Sequence, residues 1–459
     1  MDQTLPVIDA VARFTLDPAP MIPDSARETA AMLLIDTVAV AAGAAALDAG
    51  RIARETALAL YGSGSADWQA RIMFDGRRAS LAGAAFAAAS QIDNLDAHDG
   101  LNSTKGHIGC AVVPTIFACA ERLPALTARE ALDAMVIGYE VSARAAVALH
   151  ATVSDYHTSG AWNALGVAAV ACRLLGGDTQ ALRHALGIAE YHGPRSQMMR
   201  EIDNPTMLHD GSGIGALTGM TAAVMALKGF HGAPAITVTA PEVAHLWADL
   251  GSDWTIERNY IKPYPVCRWA HAAIDAVAAL QAEHGFSAEE VASVQIRSFA
   301  EAVRLFAGMP DTTSRAQYSL PFAVATMLVH GRIGPQHVAG DGLSDPAVAA
   351  LLPLISAAVD PAHDTAFPAH RRADVVVTLR GGQRFEAFCV DARGGPEAPL
   401  SRDECAGKIR DFAAPTLGVE RAEALLASRD TLLSPGAMFA GLMDLVLHPA
   451  GHRHTGVGC

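Results

Sequence analysis

The sequence predicts a mostly α-helical protein in which a large all-helical domain, built from both ends of the chain, carries a smaller inserted α+β domain. Long runs rich in alanine, leucine and valine precede residue 260, and they are too long for strands. Polar and β-branched residues then alternate at 291–299 and 373–390, as in half-buried strands. Helical patterns return after residue 400. We therefore expect a helical domain over 1–265 and 401–459, and an α+β domain over 266–400.

Local signals mark the ends of the individual elements. Thr127 and Glu130 form the pattern of a capping box at a helix start. The pair Gly381–Gly382 separates two alternating stretches and predicts a hairpin. Ser287 with Glu290 and the runs at 317–331 and 345–355 predict helices between the strands. The long helices of the first half are expected at 27–47, 80–91, 109–123, 127–150, 160–175, 178–190 and 211–230.

The composition is that of a large folded, enzyme-like protein. The chain has 459 residues, of which 51% are hydrophobic and 18% charged, and its net charge is −14 without any block of like charges. We therefore expect neither nucleic acid nor a membrane surface as a partner. The apolar run at 30–47 contains Asp36, which favours a buried helix over a membrane span. Scattered cysteines without CxxC spacing, and an acidic N-terminal stretch unlike a signal peptide, favour a cytoplasmic protein.

Polar segments at 91–114, 154–166, 191–215 and 259–271 interrupt the apolar helices. Each carries a histidine near a predicted helix boundary, where loops deliver side chains to shared cavities. Histidine is the side chain whose ordinary pKa lies nearest neutrality, and lysine and arginine bind carboxylates. This combination suits removal of a proton α to a carboxylate. The candidate residues in these segments are Asp93, Lys105, His107, His157, Arg200, His209, Lys262, Arg268 and His271.

Other interpretations of the same residues stay open. A lone histidine between helices is more often a hydrogen-bonded core residue, and Asp99 and Asp203 suit helix caps. His98, Asp99 and His107 form an alternative metal-binding set. The motifs of GxSxG hydrolases and Walker A proteins are missing from the sequence, and GSGIG lies in a region predicted to be helical.

The order of several segments resembles the MmgE/PrpD family. The stretches DNLDAHDG, GHIGCAVVP, GYEVSARAA, DGSGIGALTGMTAAVMALKGFHGAP, IKPYPVCRWAHAAIDA and AQYSLPFAVA together carry the resemblance, which spans nearly the whole chain. The family includes 2-methylcitrate dehydratases, cis-aconitate decarboxylases and iminodisuccinate epimerase. The resemblance implies the MmgE/PrpD fold with an α/β lid, a site between the two domains and a homodimer. It also implies no obligatory metal in the dehydratase and decarboxylase members, so we expect no cofactor.

The resemblance also assigns roles to single residues. It implies an acid at Asp93, histidines at His107 and His157, a lysine at Lys262 and a tyrosine at Tyr318. This chain departs from the decarboxylase pattern where threonine, lysine and histidine are usual, because it has the residues Ala97, His209 and Cys267 there. These departures weaken the decarboxylase interpretation.

Three hypotheses follow. The first is a cofactor-independent, dehydratase-type lyase for a small di- or tricarboxylate, with His157 or His107 as base and Asp93, Tyr318 or the other histidine as acid. The second is an epimerase or racemase of an amino- or imino-dicarboxylate, with His209 as a second base. The third is a non-catalytic binding protein that retains the fold. The residues expected to bind substrate are Lys262, Arg268, His271, Lys105 and Arg200.

Overall fold

The computed structural model describes residues 6–451, and it confirms the mostly α-helical fold class. The ends of the predicted helical domain, residues 1–5 and 452–459, lie outside this range. Every long helix expected in the first half is present, and the capping box of Thr127 and Glu130 forms at the start of its helix. The helices up to residue 240 are α1 (Val7–Leu16), α2 (Asp24–Ala44), α3 (Asp48–Leu60), α4 (Leu81–Asp93), α5 (Gly109–Ala120), α6 (Ala128–Thr152), α7 (Gly160–Leu174), α8 (Thr179–His192), α9 (Met198–Asp203), α10 (Ser212–Leu227) and α11 (Ile236–Thr239).

The described residues contain two sheets. A short antiparallel hairpin, β1 (Gln69–Arg71) and β2 (Arg78–Ser80), lies against α4. The larger sheet has four strands in the order β4-β3-β5-β6, with β3 and β4 parallel and the other neighbours antiparallel. The predicted hairpin is confirmed, since β5 and β6 pair across the turn at Gly381–Gly382. The four strands are β3 (Val291–Ser298), β4 (Ile355–Val359), β5 (Arg372–Leu379) and β6 (Arg384–Asp391).

The last helices return to the first part of the chain. The long α18 packs on α2 and on α19, whereas α12 packs on β5, β6 and α15. Where the chain divides into domains stays a prediction. The helices after residue 265 are α12 (His271–His284), α13 (Ala300–Val303), α14 (Thr313–Gln317), α15 (Leu320–His330), α16 (Pro346–Leu351), α17 (Pro361–Ala366), α18 (Arg402–Leu417), α19 (Val419–Leu432) and α20 (Ala440–Val446).

Small side chains let the central helices approach closely. All residues of α5 are buried, and α7 lies directly against both α6 and α10. A Cβ atom added to Gly219 of α10 would collide with the backbone carbonyl of Ala164 in α7. Burying a leucine or isoleucine in such a core contributes about 1.5–3 kcal/mol. The close packing therefore gives the polar loops at the helix ends a rigid support.

The structure differs from the sequence-based expectations at short elements. Ser287 and Glu290 do form a capping box, but the helix they start is a single 3-10 turn, Ala288–Glu290, before β3. The expected helix at 345–355 ends at Leu351 and gives way to a 3-10 turn and then to β4. Pro353 explains this end, because proline has no N–H to donate and disfavours the α conformation of the residue before it.

Within residues 6–451, no single helix is both long and apolar enough to cross a membrane. Only α2 and α3 taken together have the length and composition, and the two meet at an angle of 92°.

Candidate active site

The predicted polar segments meet at one buried cluster between the helix ends. The loop after α4 carries Asp93 and Asp96, and the segment before α10 carries His209. The backbone N–H of Ser212 donates to Asp93 Oδ2 at 3.0 Å, which joins these two segments. The structure thus brings together five residues singled out from the sequence, namely Asp93, His107, His209, Lys262 and Tyr318, and all of them are buried.

The orientation of His107 leaves one of its ring nitrogens free to accept a proton. Its Nδ1 donates to the backbone carbonyl of Asp99 at 2.7 Å, so the hydrogen of the neutral ring lies on Nδ1 and Nε2 keeps a free lone pair. Nε2 lies 3.9 Å from Asp210 Oδ2. Burial lowers the pKa of His107, while the carboxylate of Asp210 opposes the change. The imidazole is therefore neutral near pH 7 and ready to accept a proton.

Ser159 links His107 to Asp210. Its hydroxyl donates to Asp210 Oδ1 at 2.6 Å and accepts from the backbone N–H of His107 at 3.0 Å. The backbone carbonyl of His107 accepts from the Asn163 side chain at 2.8 Å. Both ends of the histidine are thus fixed by groups on the loop before α7 and on α7 itself.

The only carboxylate described within ion-pairing distance of Lys262 is that of Asp96. Lys262 Nζ lies 2.6 Å from Asp96 Oδ1, and both side chains are almost completely buried. An ammonium group has three N–H donors, so this contact leaves two for a ligand. The charge of Lys262 also contributes, after burial, to the lowered pKa values of His98, His107 and His209, which places it among these rings.

Asp93 and His98 are neutral neighbours at pH 7. Asp93 Oδ1 lies 3.6 Å from His98 Nε2, and no hydrogen bond from other described residues reaches that oxygen. Burial raises the pKa of Asp93 well above its ordinary value, and the carboxylate of Asp210 adds to the rise. Burial likewise lowers the pKa of His98 far below 6.5. A carboxyl group that keeps its proton near pH 7 can serve as a general acid.

His209 and Tyr318 close another side of the cluster. The Tyr318 hydroxyl lies 3.5 Å from His209 Nδ1, and the Ser314 hydroxyl lies 3.5 Å from Nε2. Burial lowers the pKa of His209 to about 4 and raises the pKa of Tyr318 well above 10. Both groups are neutral near pH 7, and the phenol retains its proton.

A second buried ion pair supports the loop after α4. Lys408 Nζ, on α18, lies 2.6 Å from Asp36 Oδ1 on α2 and donates to the backbone carbonyl of Ala97 at 2.8 Å. Burial raises the pKa of Asp99 to about 7, and the carboxylate of Asp36 adds to the rise. The turn from Asp96 to Asp99 is therefore supported by α2 and α18, which come from the early and late parts of the chain.

Backbone strain coincides with the cluster. Asp96, Lys105 and His209 have φ values of 52°, 54° and 46°, in the left-handed region that side chains other than glycine rarely adopt. Such conformations cost about 1–3 kcal/mol each and persist where surrounding contacts impose them, often at functional sites.

Four predicted site residues are exposed or make their described hydrogen bonds outside the cluster. Arg200 is exposed. His157 is buried, but its Nδ1 bonds the backbone carbonyl of Asp155 at 2.9 Å, and no described contact joins its ring to the cluster. Arg268 donates to the backbone carbonyls of Ala392, at 2.8 Å, and Arg393.

The fourth residue, His271, bonds the carbonyl of Val266 at 3.0 Å through Nε2. Burial and the nearby Arg268 charge lower its pKa far below 6.5. Lys105 lies two residues before His107 in the chain, with Nζ 5.4 Å from the ring centre of Tyr156, whose hydroxyl donates to the Lys105 carbonyl. The roles of all these residues stay predictions.

Sequence reasoning noted Asp210 without giving it a role, and it missed Ser159 and the carboxylate partners of the two lysines. Asp210 directly follows His209 in the chain, and an acid next to a candidate histidine was the available signal for a role of Asp210. Nothing in the sequence joins Asp96 to Lys262, so the ion pair between them could not be predicted.

Two groups of described residues have the ligand types for a metal ion. Asp93, His98 and Cys110 bring one ligand atom each within 4.8 Å of one another. Burial raises the pKa of the Cys110 thiol well above 9, as it does for Asp93, so binding there would have to remove two protons from a closed site. This trio differs from the set of His98, Asp99 and His107 suggested by the sequence.

The second group, Asp360, His363 and Asp374, lies around the larger sheet. Arg297 donates to Asp374 at 2.7 Å and lies 3.5 Å from Asp360, so a cation already occupies the space between the carboxylates.

Comparison with known proteins agrees with this architecture. Residues 11–242 match the sequence model of the MmgE/PrpD N-terminal domain, and residues 264–432 match that of the MmgE/PrpD C-terminal domain. The chain is also similar to cis-aconitate decarboxylase of Mus musculus, with 23% identity over 367 residues, which cover 75% of this chain and 74% of the relative. Cis-aconitate decarboxylase of Homo sapiens is 23% identical over 364 residues, 75% of either chain.

Proposed function

The chain belongs to the MmgE/PrpD family, and on that basis we propose that it is a cofactor-independent, dehydratase-type lyase for a small hydroxy di- or tricarboxylate. The observation that carries the proposal is the orientation of His107. Its free Nε2 lies in a cluster with a buried ammonium and a protonated carboxyl group. Groups whose pKa values are driven apart by their environments supply the base and the acid of such a reaction.

In the proposed reaction, His107 Nε2 takes the proton α to a substrate carboxylate. Negative charge develops on the carboxylate oxygens, and the free donors of Lys262 stabilise it. A buried ammonium does this better than an exposed one, because water does not screen it. His157 stays the alternative base, since its Nε2 is also left free by the bond at Nδ1.

The departing group leaves with the electron pair of its C–O bond. Asp93 donates its proton to this hydroxyl, so that water and an unsaturated carboxylate are the products. Asp93 then regains its proton directly from His107, or from solvent while His107 releases its proton to solvent, and both groups return to their starting state. Tyr318 is the second candidate for this acid, because its phenol keeps its proton beside His209.

A substrate screen tests the proposal directly. Hydroxy di- and tricarboxylates are incubated with the protein, and formation of a conjugated double bond is followed by ultraviolet absorption. Cis-aconitate belongs in the screen because the relatives are named for it. Release of CO₂ from cis-aconitate would replace the dehydratase proposal by a decarboxylase.

A second candidate is an epimerase or racemase, which the position of His209 favours. Two imidazoles, His107 and His209, belong to the same cluster, and the charge of His107 contributes, after burial, to the lowered pKa of His209. A two-base mechanism needs one base on each face of the carbon that loses its proton. In deuterated buffer, inversion with deuterium at Cα and no new double bond identifies epimerisation, whereas an unsaturated product identifies elimination.

A further inference from the structure

Two cations beside His107 have no carboxylate partner among the described residues. Lys262 pairs with Asp96 and Lys408 pairs with Asp36, so their charges are balanced. Lys105 and Arg371 make no ion pair within residues 6–451, although both lie at the loop that carries His107. Lys105 and Arg371 therefore bring positive charge without an ion-pair partner to the loop that carries His107, while the Asp210 carboxylate lies 3.9 Å from His107 Nε2. Arg268 also makes no described ion pair, but two backbone carbonyls and the ring of Tyr260 hold its guanidinium.

Arg371 is distant from this loop in the sequence but contacts it in the folded protein. It directly precedes β5 in the larger sheet and is only 5% exposed. Nη1 donates to the Asn102 side chain and, at 3.4 Å, to the backbone carbonyl of Pro368. Its Nε is buried without any described hydrogen-bond partner. An unpaired buried donor on a charged group is unfavourable unless a ligand pairs with it.

Two tyrosines lie near these cations, and one of them contacts His107. Tyr260 packs edge-on against His107, with ring centres 6.4 Å apart, and pairs through its backbone with Gly100. Burial raises the pKa of Tyr260 to about 12, and the charge of Arg371 is the strongest opposing influence. The same opposition acts at Tyr156, which lies under Lys105 Nζ. The charge of Arg371 therefore acts on both phenols, and Lys105 lies over the ring of one of them, Tyr156.

We propose that Arg371 and Lys105 bind a second carboxylate of the substrate, the one remote from the carbon that loses its proton. This inference rests on the proposed function and deepens it, since it assigns two residues to the second carboxylate of the substrate. Arginine offers a planar fork that fits a carboxylate with two parallel hydrogen bonds, and Lys105 adds a point charge. Lys262 then holds the carboxylate next to the reacting carbon, and Lys105 with Arg371 selects the length and charge of the substrate.

Binding measurements on the full chain test this assignment. Citrate is the probe with several carboxylates, and 3-hydroxybutyrate is the probe that keeps a hydroxyl group and one carboxylate. Isothermal titration calorimetry measures the Kd of each. We expect Arg371→Gln to weaken citrate binding about 10- to 100-fold, the effect of losing charge-assisted hydrogen bonds, and to leave 3-hydroxybutyrate unchanged. The citrate affinity of Arg371→Lys should lie between those of the wild type and Arg371→Gln, because lysine keeps the positive charge but lacks the planar fork of donors.

Two further variants separate recognition from structural support. Arg372→Gln removes the same charge at the next position, where the arginine pairs with Asp391, and should bind citrate like the wild type. Asn102→Ala removes the contact between Arg371 and the loop but keeps the guanidinium. If Asn102→Ala lowers citrate affinity as much as Arg371→Gln does, Arg371 acts only as a tether and the inference is wrong.

The outcomes distinguish this inference from the proposed function. Unchanged citrate affinity in both Arg371→Gln and Arg371→Lys, with a wild type that binds, overturns the inference and leaves the lyase proposal standing. A wild type that binds neither citrate nor any acid of the substrate screen overturns both. Where Arg371→Gln fails to fold, Arg371→Lys alone decides, and wild-type affinity for both probes in that variant counts against the fork.

Discussion

Lys408 and Asp36, which lie near opposite ends of the chain, form a buried ion pair of 2.6 Å directly beneath the turn that carries Asp96 and Asp99. The same ammonium donates to the carbonyl of Ala97. The pair therefore connects α2 and α18 to the loop that carries Asp96 and Asp99.

Removing one member of this pair should destabilise the fold strongly. Lys408→Met leaves the Asp36 carboxylate buried without its partner, and we expect the free energy of unfolding to fall by about 3–5 kcal/mol. The double variant Asp36→Leu with Lys408→Met buries no charge and should recover most of that loss. Urea denaturation followed by circular dichroism measures both. Turnover should stay low in the double variant, because the Ala97 carbonyl has lost its donor.

Lys228→Met is the matched control, because Lys228 is exposed. Its effect should stay within about 0.5 kcal/mol of zero. A double variant as unstable as Lys408→Met alone would show that the ion pair is not the cause of the loss.

The Asp96→Asn variant tests whether a carboxylate ligand binds to Lys262, which forms the second buried ion pair with Asp96. The substitution keeps the shape of the side chain but leaves the Lys262 charge without its counter-charge, so we expect a loss of about 3–5 kcal/mol in unfolding free energy. A carboxylate ligand that reaches Lys262 restores the missing charge. Citrate should therefore raise the melting temperature of Asp96→Asn more than that of the wild type. Equal shifts in the two proteins would place the ligand away from Lys262.

His107→Gln should remove the base and leave the fold intact. Loss of a general base lowers kcat by about 10²- to 10⁴-fold. Turnover of the acid found in the substrate screen, and deuterium exchange at its Cα, measure the effect. His245→Gln, at an exposed position, serves as the control and should keep wild-type rates. If His107→Gln turns over normally while His157→Gln does not, the base is His157.

The neutral state of His209 gives stability a measurable pH dependence. Its pKa is about 4 in the folded protein and about 6.5 in the unfolded chain. Between these values the unfolded chain binds a proton that the folded protein does not, so stability falls as the pH drops from 6.5 towards 4. This contribution approaches about 1.4 kcal/mol per pH unit.

Asp99 gives the stability of the fold the opposite pH dependence. Its pKa is about 7 when folded and about 3.9 when unfolded, so the folded protein holds the extra proton and this group stabilises as the pH falls. Comparison with His209→Gln isolates the histidine, because Asp99 is common to both proteins. Relative to pH 7.5, the variant should lose less unfolding free energy than the wild type at pH 5. Parallel curves would mean that His209 is already protonated in the folded protein.

The sequence predicted the helices well because their signal is local. Runs of alanine and leucine, the capping box at Thr127 and the glycine pair at 381–382 each depend on neighbouring residues, and all of them appear in the structure. The three-residue strands β1 and β2 carry too little alternation to be recognised. Pro353 was the local sign that the helix starting at 346 ends early.

Pairings between distant residues were beyond such reasoning. Asp96 suits a helix end as well as an ion pair, and only the fold brings Lys262 to it. Arg268 is of a residue type that binds carboxylates, yet it donates its hydrogen bonds to the backbone carbonyls after β6. Arg371 belongs to no polar segment, because it stands at the start of an alternating strand, where a charged residue signals only solvent.

The dependence of the site on α18 has a consequence for biosynthesis. When the ribosome has made the loop after α4, Lys408 still lies more than three hundred positions ahead, so the nascent protein holds Asp36 in an apolar helix without a counter-ion. The acidic loop can reach its working shape only after the α+β region has been translated and has let α18 dock. Truncated products that stop before this helix should therefore be substrates for chaperones and proteases, not slow versions of the enzyme.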